Sequence, residues 1–137
     1  MRYILPACIP DQTVILDLFL ASSSLRRRSL RSFLESMEDG ERKDFEAVLE
    51  EQCLQADVPY ITETIEDECK TIIALVMSTK ANTVIVPMHD VLCMGEEARL
   101  NAPSTVSGKN WTFRFVEGDF GRRKAAWLKS LTEEYNR

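Results

Sequence analysis

The sequence predicts a helix-rich α/β fold with two or three strands. Two short apolar runs closed by proline, Tyr3-Ile4-Leu5 before Pro6 and Thr83-Val84-Ile85-Val86 before Pro87, read as buried strands. Between them, apolar residues recur at three- and four-residue intervals, the helical period. Strand, helix, strand in that order suggests a parallel βαβ-type arrangement.

The elements follow from the residues in turn. After the first run, Pro6, Pro10 and Asp11 mark a loop, and residues 13–21 are apolar on most faces, as in a buried helix. Ser22, Ser23 and Ser24 offer N-caps for a helix with an apolar face of Leu25, Leu30, Phe33, Leu34 and Met37, punctuated by Gly40. A further helix over residues 41–54 carries Phe45, Val48, Leu49 and Cys53 and stops at Val58-Pro59. Thr64-Ile65-Glu66-Asp67 resembles a capping box. The helix it opens aligns Ile65, Cys69, Ile72, Ile73, Val76 and Met77 on one face. After the strand at 83–86 come a short helix over 96–100, loop chemistry over 103–108 and a possible third strand at Thr112-Phe113-Arg114-Phe115. A last helix over 122–135 places Ala126, Leu128, Leu131 and Tyr135 among charges.

With 137 residues the chain suits one domain, and 45% apolar with 28% charged residues is the composition of a soluble globular protein. A net charge of −5 repels phosphate backbones and anionic lipid, so neither nucleic acid nor membrane is an expected partner. A neutral ligand such as a sugar suits this balance. Cys8, Cys53, Cys69 and Cys93 form no C-x-x-C pair, and the single histidine completes no zinc spacing, so no metal or other cofactor is expected. Few cysteines in a chain of this size read as reduced thiols in a cytoplasmic protein. Pro6, Pro10, Asp11 and Asp17 interrupt any secretory core near Met1, and the longest later apolar run, residues 72–77, is too short to span a bilayer.

Among individual residues, His89-Asp90 lies just past the second strand, but no nucleophile is spaced to complete a catalytic set. The pair reads as a hydrogen-bonded structural unit or as a sugar contact through His89. Trp111 offers an aromatic face for a sugar ring or for packing. Arg26-Arg27-Arg28-Ser29 could meet nucleic acid or be phosphorylated, though in an acidic chain such a run is more usually a solvated face.

The segment Pro87-Met88-His89-Asp90-Val91-Leu92-Cys93-Met94-Gly95-Glu96-Glu97-Ala98-Arg99-Leu100-Asn101-Ala102-Pro103, continuing through Gly108-Lys109-Asn110-Trp111-Thr112-Phe113-Arg114, closely resembles the C-terminal signature of the amylomaltase or disproportionating-enzyme family, glycoside hydrolase family 77. That pattern is a buried strand, a polar residue and Asp, Val-Leu, Gly-Glu-Ala-Arg, Asn-x-Pro, then Gly-Asn-Trp before an aromatic-Arg pair. The last helix, with Ala125-Ala126-Trp127-Leu128, is also similar. His89 stands where the family usually has Gln, Cys93 and Ser104 replace glycines, and Phe113 replaces a second Trp.

The resemblance implies that residues 1–137 are a C-terminal barrel fragment or a single domain, its strands and helices being the last of a (β/α)₈ barrel. It implies transfer of α-1,4-glucan segments between maltooligosaccharides, with no dissociable cofactor. His89, Asp90, Asn101 and Trp111 then line the sugar cleft. Asp11, in Ile9-Pro10-Asp11-Gln12, corresponds to the family's third carboxylate in Thr-His-Asp-Asn, or is simply a helix N-cap. Retaining transfer needs a nucleophile and an acid/base carboxyl. The family supplies these from motifs upstream of the signature, and its Glu-Asp-Leu-Gly acid/base motif is absent from this sequence. The isolated chain is therefore expected to be inactive, and its strand edges to favour self-association or association with the rest of a barrel. The alternative is a non-catalytic orphan domain that binds glucan or a partner protein.

Overall fold

The computed structural model describes residues 29–99 and 105–137. Among them the chain forms α1 (Leu30–Glu35), α2 (Asp39–Ala56), α3 (Ile65–Ser78), α4 (Met88–Val91), a 3₁₀ turn at Glu96–Ala98, and α5 (Arg122–Glu134). Helix α3 is central: α1, α2, α4 and α5 all pack against it.

The boundaries have local causes. Ser29 caps α1, its side chain accepting the Ser32 backbone N–H at 3.3 Å. That bond and the burial of Ser29 hold it in a structural role, beside the arginine run whose residues 26–28 lie outside the described part. Helix α2 opens two residues earlier than expected, because the Glu38 N–H donates to the Glu41 carboxylate in a capping box. Gly40, expected as punctuation, lies in that first turn. The helix ends at Asp57, whose φ of 55° is left-handed, and the Val58 N–H returns to Cys53 O at 2.9 Å. Pro59 prevents continuation.

Helix α3 starts as its sequence requires. Thr64 accepts the Asp67 N–H at 3.1 Å, and Glu66, Asp67 and Glu68 lie in the first turn, where the helix dipole favours anions. Its other end is closed from a distance: Arg137 donates to Met77 O at 3.0 Å and also to Thr79 O and Ala81 O. The buried face of α3, with Cys69, Ile72, Ile73, Leu75 and Met77, meets Leu30, Phe33 and Leu34 of α1 and Phe45, Leu49 and Cys53 of α2 in one core. Phe33 and Phe45 pack edge to face at 5.6 Å. Burying a side chain such as Leu49 contributes about 2–3 kcal/mol, and this shared interior is what holds the helices together.

The expected strands are corrected by the structure. Residues 83–86 pair with no strand among the described residues, and residues 112–115 are likewise irregular. The Tyr3-Ile4-Leu5 run and the helix expected over 13–21 lie outside the described residues. The described part is therefore helical rather than α/β. The physical reason is that a strand is defined by its ladder, and β-branched composition supplies an extended backbone without supplying a neighbour. Residues 83–86 keep the strand's alternation: Val84 and Val86 pack on the core, while Ile85 is 60% exposed rather than buried. In α5 the expected Leu131 is buried and the expected Tyr135 packs beside it, while Trp127 also faces inward and Ala126 is exposed.

Candidate functional site

The segment between Pro87 and Arg99 is a chain of small, tightly hydrogen-bonded turns. Pro87 ends the extended run and starts α4, whose four residues include His89 and Asp90. Asp90 is buried, and its Oδ1 accepts the Leu30 backbone N–H at 2.8 Å, tying α4 to the first turn of α1. His89 Nε2 lies 3.6 Å from the same oxygen and keeps part of its ring at the surface. Burial pushes the Asp90 carboxyl above its ordinary range, opposed by the Leu30 N–H and by His89. The two residues predicted as a pair are thus together, with the aspartate engaged structurally and the histidine facing outward.

Helix α4 closes in a Schellman arrangement. The Cys93 N–H donates to Asp90 O at 3.0 Å and the Met94 N–H to His89 O at 2.8 Å. Cys93 occupies the left-handed position, with φ of 52°, where glycine is usual. The Gly95-Glu96-Glu97-Ala98-Arg99 stretch follows as the 3₁₀ turn. The Glu97 carboxylate accepts the Gly95 N–H at 2.8 Å, which holds it below the usual carboxylate range. A Cβ at position 95 would lie 2.7 Å from Glu97 Oε2 and force that carboxylate away.

This turn faces α1 across an open polar cleft of about 540 Å³, lined by Arg31, Ser32, Glu35, Ser36, Gly95, Glu96, Glu97 and Arg99. Arg31 pairs with Glu35 at 2.8 Å and Arg99 with Glu96 at 3.1 Å. The involvement of Arg31 and Glu35 was not legible beforehand. Their i,i+4 spacing signals only a local helix pair, and the partner surface lies more than sixty positions away in sequence.

Trp111 stands on a separate loop. Thr112 N–H donates to Lys109 O at 3.4 Å, and the Asn110 amide donates to Thr105 O at 3.0 Å, which closes the loop. Trp111 has a φ of 65° and is 64% exposed. A bulky residue in left-handed backbone is uncommon and concentrates at functional sites. Arg114 donates to Trp111 O and Phe113 O, and Phe113 meets Phe115 edge to face at 5.1 Å. Asn101 and Asp11 lie outside the described residues. Among the described residues no group of three or more His, Cys, Asp or Glu side chains could hold a metal ion, and no helix is long and apolar enough to cross a membrane.

A family model for 4-alpha-glucanotransferase matches residues 26–118, which takes in α1 through the Trp111 loop. The chain belongs to the 4-alpha-glucanotransferase family, glycoside hydrolase family 77. Two relatives within it are a 4-alpha-glucanotransferase of Thermus thermophilus, 36% identical over 61 residues, and a chloroplastic/amyloplastic 4-alpha-glucanotransferase of Oryza sativa subsp. japonica, 36% identical over 93 residues. These alignments take in 44% and 65% of this chain, but only 12% and 16% of the relatives. The structure is similar to the amylomaltase from Streptococcus agalactiae in complex with acarbose, with a TM-score of 0.62 and 26% identity, over 80% of this chain and 20% of that one. The chain thus spans a fifth or less of each of these family members, and the helical arrangement around α3 is that of a piece of a barrel-related fold.

Proposed function

We propose that this chain acts as the C-terminal portion of a 4-alpha-glucanotransferase on α-1,4-glucans, and that these 137 residues by themselves do not turn glucan over. In this reading the segment 87–114 supplies part of the wall of the sugar cleft. Trp111 offers its face to a glucose ring and His89 a hydrogen bond, with Asn101 beside them. Asp90 acts indirectly by fixing α4, and Asp11 is the third carboxylate of the family. The nucleophile and the acid/base carboxyl come from family motifs upstream of this segment: Glu-Asp-Leu-Gly is absent here, and the one Arg-x-Asp string, Arg42-Lys43-Asp44, lies within helix α2.

The observation that carries the reading is Trp111: within the family-matched segment, a large aromatic ring is held outward by a hydrogen-bonded loop instead of being packed into the core. Apolar faces of sugar rings suit such a surface. The solved relative was captured with acarbose, which makes acarbose the natural probe. Its addition is expected to perturb the tryptophan emission of the wild-type chain, and Trp111→Ala is expected to abolish the change while Trp127 still reports the fold. An unaltered response in Trp111→Ala, or none in the wild type, contradicts the assignment.

The extended residues 83–86, with Ile85 outward, support the accompanying reading that this segment pairs with a neighbouring strand of the remaining barrel, or with a second copy when the chain is alone. The free Cys53, Cys69 and Cys93 thiols support a reducing, cytoplasmic setting.

A further inference from the structure

Two of the chain's cysteines, 24 residues apart in sequence, meet inside the fold. Cys69 projects from α3 and is 1% exposed, and Cys93 ends the turn after α4 and is 8% exposed. Their Sγ atoms lie 3.4 Å apart, within hydrogen-bonding reach of one another. A disulfide bond is about 2.05 Å long, so a further approach of roughly 1.4 Å would join them. Cys93 is carried by the short Schellman turn that follows α4.

The surroundings distinguish this pair from a chance contact of buried thiols. Cys93 occupies the left-handed position that the turn would give most cheaply to glycine, so its side chain is held at a backbone cost. Two cations flank it: Arg31 Nη1 donates to Cys93 O at 3.5 Å, and Lys124 Nζ donates to Leu92 O at 3.4 Å. Glu66, which holds Lys124, and the buried Asp90 and Glu68 are the nearby anions. The contact with Cys69 lowers the Cys93 thiol from its ordinary value; burial opposes this, and Arg31 and Lys124 assist it. The Cys69 thiol is pushed upward by the same contact and by burial. Cys93, the less buried of the two and the one beside the cations, is the sulfur suited to attack, and Cys69 is the one that gives its proton to the leaving group. Cys53 is different. It is buried in apolar surroundings that push its thiol up to about 11, the setting of an inert core cysteine.

We propose that Cys69 and Cys93 form a thiol–disulfide pair that responds to peroxide and fastens the turn carrying His89 and Asp90 to α3. In the first step the Cys93 thiolate attacks one oxygen of hydrogen peroxide. The O–O bond breaks, hydroxide leaves, and Cys93 becomes a sulfenic acid. In the second, Cys69 sulfur attacks Cys93 sulfur, the S–O bond breaks, and the departing hydroxide takes the Cys69 proton to leave as water. Two thiols are oxidised by two electrons in all, and one peroxide is reduced to two waters. The bond closes a loop containing most of α3, the extended residues 83–86 and α4.

The test is to treat the folded, reduced 137-residue chain with hydrogen peroxide, block remaining thiols with iodoacetamide in denaturant, and map peptides without reduction. The expected product is a peptide pair linked between Cys69 and Cys93, about 2 Da lighter than the two free thiol peptides together and separated by dithiothreitol, with Cys8 and Cys53 alkylated. Cys93→Gly fits the left-handed backbone, folds, and is expected to lose the reaction entirely. Cys69→Ser keeps the size of its side chain and is expected to stop at Cys93 sulfenic acid, trapped by dimedone. Linkage through Cys8 or Cys53, an intact reduced pair after peroxide, or an undiminished cross-link in Cys93→Gly each overturns the proposal.

Discussion

Asp90 Oδ1 accepts the Leu30 backbone N–H at 2.8 Å, joining two turns that are sixty residues apart in the chain. The bond is buried and meets one of the N–H groups that the first turn of α1 leaves without an intrahelical partner. Asp90→Ala strands that donor and is expected to destabilise the fold by about 2 kcal/mol. Asp90→Asn retains an oxygen acceptor and is expected to cost about half as much. Urea denaturation of the two variants checks this; equal losses would show that the Leu30 bond is not what Asp90 contributes.

Glu68 is 1% exposed on α3 and is held by Arg42 of α2, which also binds Glu46 at 3.0 Å and Leu34 O at 2.9 Å. Burial pushes the Glu68 carboxyl above its ordinary 4.5, and Arg42 pulls it back. Because the folded state holds this proton more tightly than the unfolded state, stability falls as pH rises from the ordinary value through the raised one. Removing Arg42 raises the carboxyl further and deepens that fall. Arg42→Ala is expected to cost about 3 kcal/mol at about pH 8 and under half of that at about pH 5. A loss independent of pH, measured by denaturation across this range, would remove Glu68 from the explanation.

Ile85 is the outward residue of an extended run that pairs with no strand among the described residues. Exposed strand edges recruit other chains. The isolated protein is expected to sediment as a dimer or larger at micromolar concentration, and Ile85→Lys to shift it toward monomer. A wild-type monomer that binds no hydrophobic dye would show that the edge is self-sufficient.

Helices α2 and α3 were legible in the sequence because their signals are local. Thr64 and Asp67 announce the start of α3, Val58-Pro59 the end of α2, and the three- and four-residue spacing their buried faces. The strands failed because pairing is not local. Residues 83–86 and 112–115 have strand composition, and Phe113 and Phe115 even meet as residues two apart on one face do, but nothing in either run specifies a neighbour. The site was half legible. His89-Asp90 and Trp111 were singled out, yet the partner of Asp90 is a backbone N–H, which no residue type advertises. Glu68 left one sign: it lies between Ile65 and Ile72 at helical spacing, a carboxylate on an apolar face. Its partner Arg42, like the meeting of Cys69 with Cys93, follows from how α2, α3 and the turn after α4 pack.

The most direct measurement is the incubation of the purified chain with maltotriose, with glucose and longer maltooligosaccharides quantified over time. A chain without the nucleophile and acid/base carboxyls should release no glucose and build no longer oligomer above a buffer blank. Glucose and longer products that accumulate together, and that are lost in Asp11→Ala, would contradict the account by showing that these 137 residues carry a complete catalytic site.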